Sequence, residues 1–477
     1  MSNSEALAVT SLKRFALTRT ALGLCLALGL TACQSPLRSD YQRPLMPLPS
    51  HWQQTVQQLE GQADWTTFAD PALDQLIEQV LTHNADLTTA AIKLRKAQLQ
   101  LQLVRHQQGL NWSAELATSR SHDLSGKGMS DSSSASLGLS YELDLWGKLD
   151  AARDEAQWEL QATAEDRAAT ALSLVGSAAQ AYWQLGYLNE LIGLAQANVE
   201  DSLRVQQLVD QQYLAGAVSG LDRVTAAQSV VSQEASLYTY RQQLVEARNA
   251  LALLLDRPPE QWQAEPHQLS DKTIPTLPAD LPAKLLSRRP DLRASEYRLR
   301  ESLAAVDNER LSLYPSFTLT GALGTASSAL WRFSQDPVGT LGAGLSLPFV
   351  NWQQGQVSIE LARQDYAEVV VGFRQDLFSA LSEVENALAA QQHYAQQGER
   401  LQQALTLAEA GERLAEQRYR LGEDDLSTWL EQRKSRREAQ QSLLENHYNR
   451  LLNQMTLLQA LGTSPRLTHW LASHSAS

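Results

Sequence analysis

The chain has 477 residues, 19% of them charged and 6% aromatic, and a formal net charge of −13. These values exclude a disordered or collagen-like chain and argue against nucleic acid as the main partner. No run of 18 apolar residues occurs, so no transmembrane helix is predicted.

The first 32 residues read as a targeting segment. Lys13, Arg14 and Arg19 form a basic region ahead of the apolar residues 21–30, a stretch too short to span a bilayer. Leu30-Thr31-Ala32-Cys33 then sets small residues before a cysteine, the pattern of a bacterial lipobox. Acylation is predicted at Cys33, which becomes the N-terminus, with the lipid as a membrane partner. Gln34, standing where an Asp favours inner-membrane retention, points to the outer membrane. Cys25 leaves with the leader, so neither a disulfide nor a cysteine-based metal site is expected. Residues 33–64 read as an extended tether, because Pro36, Pro44, Pro47 and Pro49 sustain neither helix nor ladder.

Helix follows. Asp70 before Pro71 is a cap with proline at the first helical position, and the pattern runs over residues 71–108 with a restart at Asn84-Ala85-Asp86-Leu87. Four strands of roughly 9–11 residues come next, the length a tilted strand needs to cross a bilayer. Leu137, Leu139, Tyr141, Leu143 and Leu145 alternate with Ser136, Gly138, Ser140, Glu142 and Asp144. The same alternation marks Trp112, Ala114 and Leu116; Phe317, Leu319 and Leu323; and Leu341, Ala343, Leu345, Leu347 and Phe349. One face of each strand belongs in oil and the other in water. Residues 120–135 and 325–339 read as hairpin loops. Four strands cannot close a barrel, and an open edge in lipid leaves backbone groups unsatisfied. The chain is expected to assemble; three copies give about twelve strands, and a dimer is not excluded.

Residues 147–213 contain no proline and reach roughly 100 Å as helix. Leu174, Ala178, Ala181, Leu185, Leu188, Ile192, Ala195 and Val199 step by four and three, as a coiled-coil seam does. Leu172, Val175 and Tyr182 add a second seam beside it. The helix ends near Gly216 and returns over residues 221–255; its counterpart ends near Gly422 and returns over 426–461.

The pattern occurs twice. Two copies over residues 137–461 align at an offset of 206 residues without a gap. Trp146 answers to Trp352, and Tyr213-Leu214-Ala215-Gly216 answers to Tyr419-Arg420-Leu421-Gly422. Such length marks a duplicated half and not a solenoid unit. The predicted organisation is a first repeat over 65–257, with a β-hairpin at 112–146 and a helical tip near 213–222. A Pro-rich crossover over 258–282 leads to a second repeat over 283–462, with a hairpin at 316–349 and a tip near 419–430. A tail follows over 463–477. The fold class is mixed membrane α+β. HExxH, P-loop and GxSxG patterns are absent, and the nine histidines are scattered. No enzyme, cofactor or metal site is expected.

Several stretches resemble the outer-membrane efflux factors of the TolC and OprM type, especially their NodT-type lipoprotein branch. The entry motif is Trp65-Thr66-Thr67-Phe68-Ala69-Asp70-Pro71-Ala72-Leu73, and the second half carries Ser287-Arg288-Arg289-Pro290-Asp291-Leu292 and Tyr314-Pro315-Ser316-Phe317. Tyr141-Glu142-Leu143-Asp144-Leu145-Trp146-Gly147-Lys148 and residues 213–222 complete the likeness, which spans essentially the mature chain. The resemblance implies a homotrimer whose strands form a 12-stranded barrel, continued by a long periplasmic helical barrel. It implies a passive exit duct for drugs or other small molecules, served by a periplasmic adaptor and an inner-membrane pump. It places adaptor docking at Gly216, Ser219, Leu221, Gly422, Asp425 and Leu426. Periplasmic gate candidates are Thr428, Glu431 and Lys434, with Asp222 and Arg223 opposite as charge partners. Thr428 stands where the resemblance implies an acid. Two other readings are the exit duct of a protein secretion system and a lipid-anchored periplasmic scaffold without a pore.

Overall fold

A computed structural model describes residues 37–53, 64–123, 128–259, 265–269, 282–327, 337–462 and 465–474. The expected leader and Cys33 lie outside the described residues, as does most of the Pro-rich crossover. In chain order the main elements are α1 (Pro71–His83), α2 (Ala85–Gln107), β1 (Asn111–Asp123), β2 (Gly128–Leu143), α3 (Lys148–Leu214) and α4 (Gly220–Leu254). The same order then recurs from α5 (Pro290–Leu311) through β3 (Ser316–Ser327), β4 (Val338–Ser346), α6 (Trp352–Leu421) and α7 (Leu426–Leu461), with α8 (Pro465–Ser473) last.

The chain divides into two compact units. The first comprises residues up to Leu45, Lys96–Gln161 and Glu296–Gly372. It holds one antiparallel sheet in the order β1-β2-β3-β4. Sheet and helix meet at Gly147, whose φ of 81° lets the chain turn out of β2. There Trp146 Nε1 donates to Pro315 O at 2.7 Å and Lys148 pairs with Glu142 at 2.6 Å.

The expected tether is in part strapped down within this unit. Ser39 donates its N–H and hydroxyl to the buried Asp307 at 2.7 and 2.8 Å, and Arg43 pairs with Glu296. The Arg300 guanidinium sits 4.6 Å over the Tyr41 ring and 5.0 Å over Trp158. Burial, then the Glu296 charge, push the Tyr41 phenol up to about 12. An extended strap of this kind is held by side chains far along the chain, which composition does not reveal.

Two strands run longer than expected. β1 and β2 have 13 and 16 residues, so most of the expected loop at 120–135 is ladder, with Arg120 opposite Asp131. Hydrophobic alternation stops near Thr118, but backbone pairing needs no apolar side chains and continues. The hairpins also end early. β2 stops at Leu143, short of Trp146, and β4 at Ser346, because Pro348 opens a 3-10 turn and offers no N–H to the ladder. Gly339, placed in a loop by the sequence, lies within β4.

The second unit comprises Met46–Arg95, Ala162–Ser295 and Phe373–Ser477. Its core is built on the middle of α3: Leu174, Ala178, Ala181, Leu185, Leu188 and Ala195 of the first seam are buried, as are Leu172, Val175 and Tyr182 of the second. The entry motif docks here. Asp70 accepts from Ala72 N and Leu73 N, capping α1, and takes the Tyr182 hydroxyl at 2.9 Å. Phe68 meets Trp183 edge-on at 4.9 Å. Burial and the Asp70 charge hold the Tyr182 phenol well above its ordinary value. Asn84 caps α2 through Asp86 N and Leu87 N and donates to Leu254 O at 2.9 Å. Arg289 is structural too: its buried guanidinium bonds Asp291 and Glu383 at 2.6 Å each. The expected C-terminal tail contains a docked helix instead, α8, with Leu467 wholly buried and Trp470 and Leu471 packed on the core. Positions 467, 470 and 471 share one helical face.

Candidate functional site: the sheet faces and the helix tips

The ladder registers put the large apolar strand residues, Val338 excepted, on one face. Trp112 pairs with Leu139 and Ala114 with Leu137; Leu137 pairs in turn with Leu323 and Tyr141 with Leu319; Phe317 pairs with Leu345. Within the single chain this face lies open, with Trp112 68%, Leu116 72% and Leu341 93% exposed. From Ala135 to Leu143 the apolar run on β2 is about 27 Å long, or roughly 21 Å high at a tilt near 40°. The apolar band of a membrane barrel is about 25 Å tall. Beyond it the same face turns polar, with Thr118 and Ser133 hydroxyls 3.0 Å apart and Arg120 bonded to Asp131 at 2.7 Å. The opposite face carries Ser113, Glu115, Ser136, Ser140, Thr318 and Thr320 among glycines and alanines.

The two helix tips are built alike. α3 ends in a left-handed Gly216 (φ 76°) and α6 in Gly422 (φ 75°). Each carries the paired bonds of a Schellman turn: Gly216 N to Tyr213 O and Ala217 N to Gln212 O, both 2.9 Å, matched by Gly422 N to Tyr419 O and Glu423 N to Arg418 O. Three residues on, the return helix is capped. In the first tip Ser219 and Asp222 form a reciprocal capping box. In the second Asp425 is the cap and accepts from Thr428 N, Thr428 Oγ1 and Ser427 Oγ at 2.8–2.9 Å. Those bonds, led by the Thr428 N–H, hold the Asp425 carboxyl below its ordinary value.

Beneath the tips a small core joins all four long helices: Val205 and Val209 of α3, Ala226 of α4, Ala415 and Tyr419 of α6, and Leu426 and Trp429 of α7. Tyr419 stacks on Trp429 at 5.2 Å and donates to Gln212 at 2.5 Å. Next to it Arg433 is buried, bridging Glu412 of α6 at 3.2 Å and Asp201 of α3 at 3.3 Å, with its guanidinium 5.6 Å from the Trp429 ring. Burial lowers the Arg433 value against the pull of Glu412 and Asp201. Arg436 also pairs with Glu412, and reaches Asp201 at 3.7 Å.

Set against this geometry, the family named "Outer membrane efflux protein" matches residues 76–257 and again 281–463. The chain belongs to that family. It is an outer-membrane protein whose relatives export. The pyoverdine export outer membrane protein OpmQ of Pseudomonas putida is 32% identical over 456 residues, covering 92% of this chain and 96% of OpmQ. The crystal structure of CusC superposes with a TM-score of 0.80 at 27% identity, over 90% of this chain and 100% of CusC. The open-state MtrE channel of Neisseria gonorrhoeae gives 0.77 at 28% identity, over 89% and 97%.

Of the expected tip residues, Gly216, Ser219, Gly422 and Asp425 form the two turns, and Leu221 is 75% exposed. Leu426 is corrected: it is 2% exposed in the sub-tip core and offers no docking surface. At the 206-residue offset Leu221 answers to Ser427, so Leu426 never shared its position. The exposed apolar residues beside it are instead Leu214 and Leu421, at 85% and 74%. Among the gate candidates, Asp222 and Thr428 serve the caps. Arg223 pairs within its own hairpin, with Asp210 at 2.8 Å and over the Tyr213 ring. It starts α4 on the side facing the end of α3. Among the described residues, Glu431 is exposed without an ion pair, and Lys434 reaches only Glu438, at 3.9 Å. Reading the sequence missed Arg433 as a structural centre, although its stripe with Leu426 and Trp429 puts it on the buried face of α7.

Proposed function

We propose that the chain is the outer-membrane channel of a tripartite efflux system, a passive exit duct for drugs or other small molecules driven by an inner-membrane pump through a periplasmic adaptor. Three copies pool their sheets into a 12-stranded barrel and their helices into a periplasmic tunnel, each copy being an internal duplication and each anchored by acylated Cys33. The observation that carries this reading is the open apolar face of the sheet, bounded by two unpaired edge strands. In water that face is unfavourable by on the order of 2 kcal/mol for each large side chain, and lipid removes the cost. The edges need partners in hydrocarbon, and identical copies supply them.

Two unpartnered helix seams support assembly. Val224, Val231, Tyr238 and Val245 of α4 stand exposed at seven-residue spacing, as do Leu407, Leu414 and Leu421 of α6. A neighbouring copy that sets one seam against the other buries both. The tips at Gly216, Ser219 and Leu221 and at Gly422 and Asp425 take the adaptor, with Glu431 and Lys434 acting at the gate. The test is purification from membranes in mild detergent. A trimer with heat-modifiable gel mobility and single-channel conductance is expected; a monomer that never enters lipid overturns the reading.

A further inference from the structure

Among the described residues, the polar face of the sheet holds one charge without a partner. Glu115 is exposed near the end of the apolar band marked by Ala135, and its register row continues through Ser136, Gly324 and Val338. It makes no ion pair or hydrogen bond among the described residues. Glu142, the other acid on this face among the described side chains, is paired with Lys148. Arg120 and Asp131 pair with each other on the opposite face. We propose that Glu115 is the charge-selecting residue of the membrane-spanning duct, repeated once per subunit around its inner wall, and that it favours cationic solutes over anionic ones. This rests on the barrel reading above. Small neighbours leave the carboxylate unshielded, and low-dielectric walls focus its field into the bore.

The test reads the potential inside the barrel, independently of any gate at the helix tips. Thr340 lies on the same face of the far edge strand, in the row of Ser113, Gly138 and Ala322. Three strand spacings put it roughly 14 Å or more from its own Glu115, beyond the screening length of about 8 Å at physiological salt. It borders the edge that a second copy's β1 joins, so it senses the neighbour's carboxylate. The full-length Thr340→Cys protein in outer membranes is treated with a cationic and an anionic methanethiosulfonate, with the parent chain as the labelling blank. Adding Glu115→Gln should lower the cationic-to-anionic rate ratio about threefold, an effect that fades near 1 M salt. An unchanged ratio overturns the proposal. Failure of both reagents to reach Thr340→Cys overturns the barrel reading itself, and the proposal with it.

Discussion

The two helix tips share a backbone and differ in chemistry. Gly216 and Gly422 take nearly the same left-handed φ, and equivalent backbone bonds close both turns. The caps exchange partners: the first turn has its hydroxyl at the cap (Ser219) and its acid three residues on (Asp222), whereas the second has the acid at the cap (Asp425) and the hydroxyl three residues on (Thr428). The comparison teaches that the turn requires one acid–hydroxyl pair across those positions, in either order. Thr428, which stands where an acid is implied by resemblance, is half of such a pair.

The largest disturbance should come from beneath the tips. Arg433→Ala removes the buried bridge between Asp201 and Glu412 and leaves both carboxylates under-compensated, at a cost of about 3 kcal/mol. Native-state hydrogen exchange should show both tips loosening, since α3, α6 and α7 all meet at this residue. Loss confined to the second tip would break the view that the two share one support.

Gly216→Ala and Gly422→Ala probe the turns. No atom lies within 4 Å of an added Cβ at either site, so the expense is conformational, about 1–2 kcal/mol each. Equal losses in thermal unfolding sharpen the equivalence; a difference above about 1 kcal/mol breaks it.

Acid should separate the tips by their caps. The Asp425 carboxyl is held below its ordinary value, so its contribution is present above the unfolded-state value near 3.9 and lost as pH falls through the lower folded one. Faster amide exchange at Thr428 over that fall is expected in the parent, with no such pH step in Asp425→Asn.

The smallest effect on folding belongs to Glu431→Ala, within about 0.5 kcal/mol, because the side chain is exposed and unpaired. Its expected readout is higher conductance in planar bilayers. Unchanged conductance removes Glu431 from the gate.

Much of the fold was legible because period-two and period-3.6 patterns record which side of an element meets apolar surroundings. The strand faces, the seams on α3 and the two glycine turns all carried such a signal. Strand ends did not, since the ladder through Thr118 and Arg120 runs on hydrogen bonds after hydrophobic alternation stops. The docked α8 escaped notice because nine residues with Leu467 on one face are too short to distinguish from a tail. At the tips, an exposed Leu221 and a buried Leu426 look alike in sequence; packing against Val205 and Trp429 separates them.

By itself, then, the order of residues determined local matters: oily and wet strand faces, helix lengths, caps, and the turns that only glycine enters cheaply. These depend on hydrogen bonds and side-chain periods within a few residues. Tertiary structure alone decided which charges meet, as with Asp201 and Glu412 around the buried Arg433, and where the extended residues from Ser39 to Arg43 are strapped. Those outcomes join residues distant in the chain, and the balance of desolvation against pairing that governs them exists only once the helices are side by side.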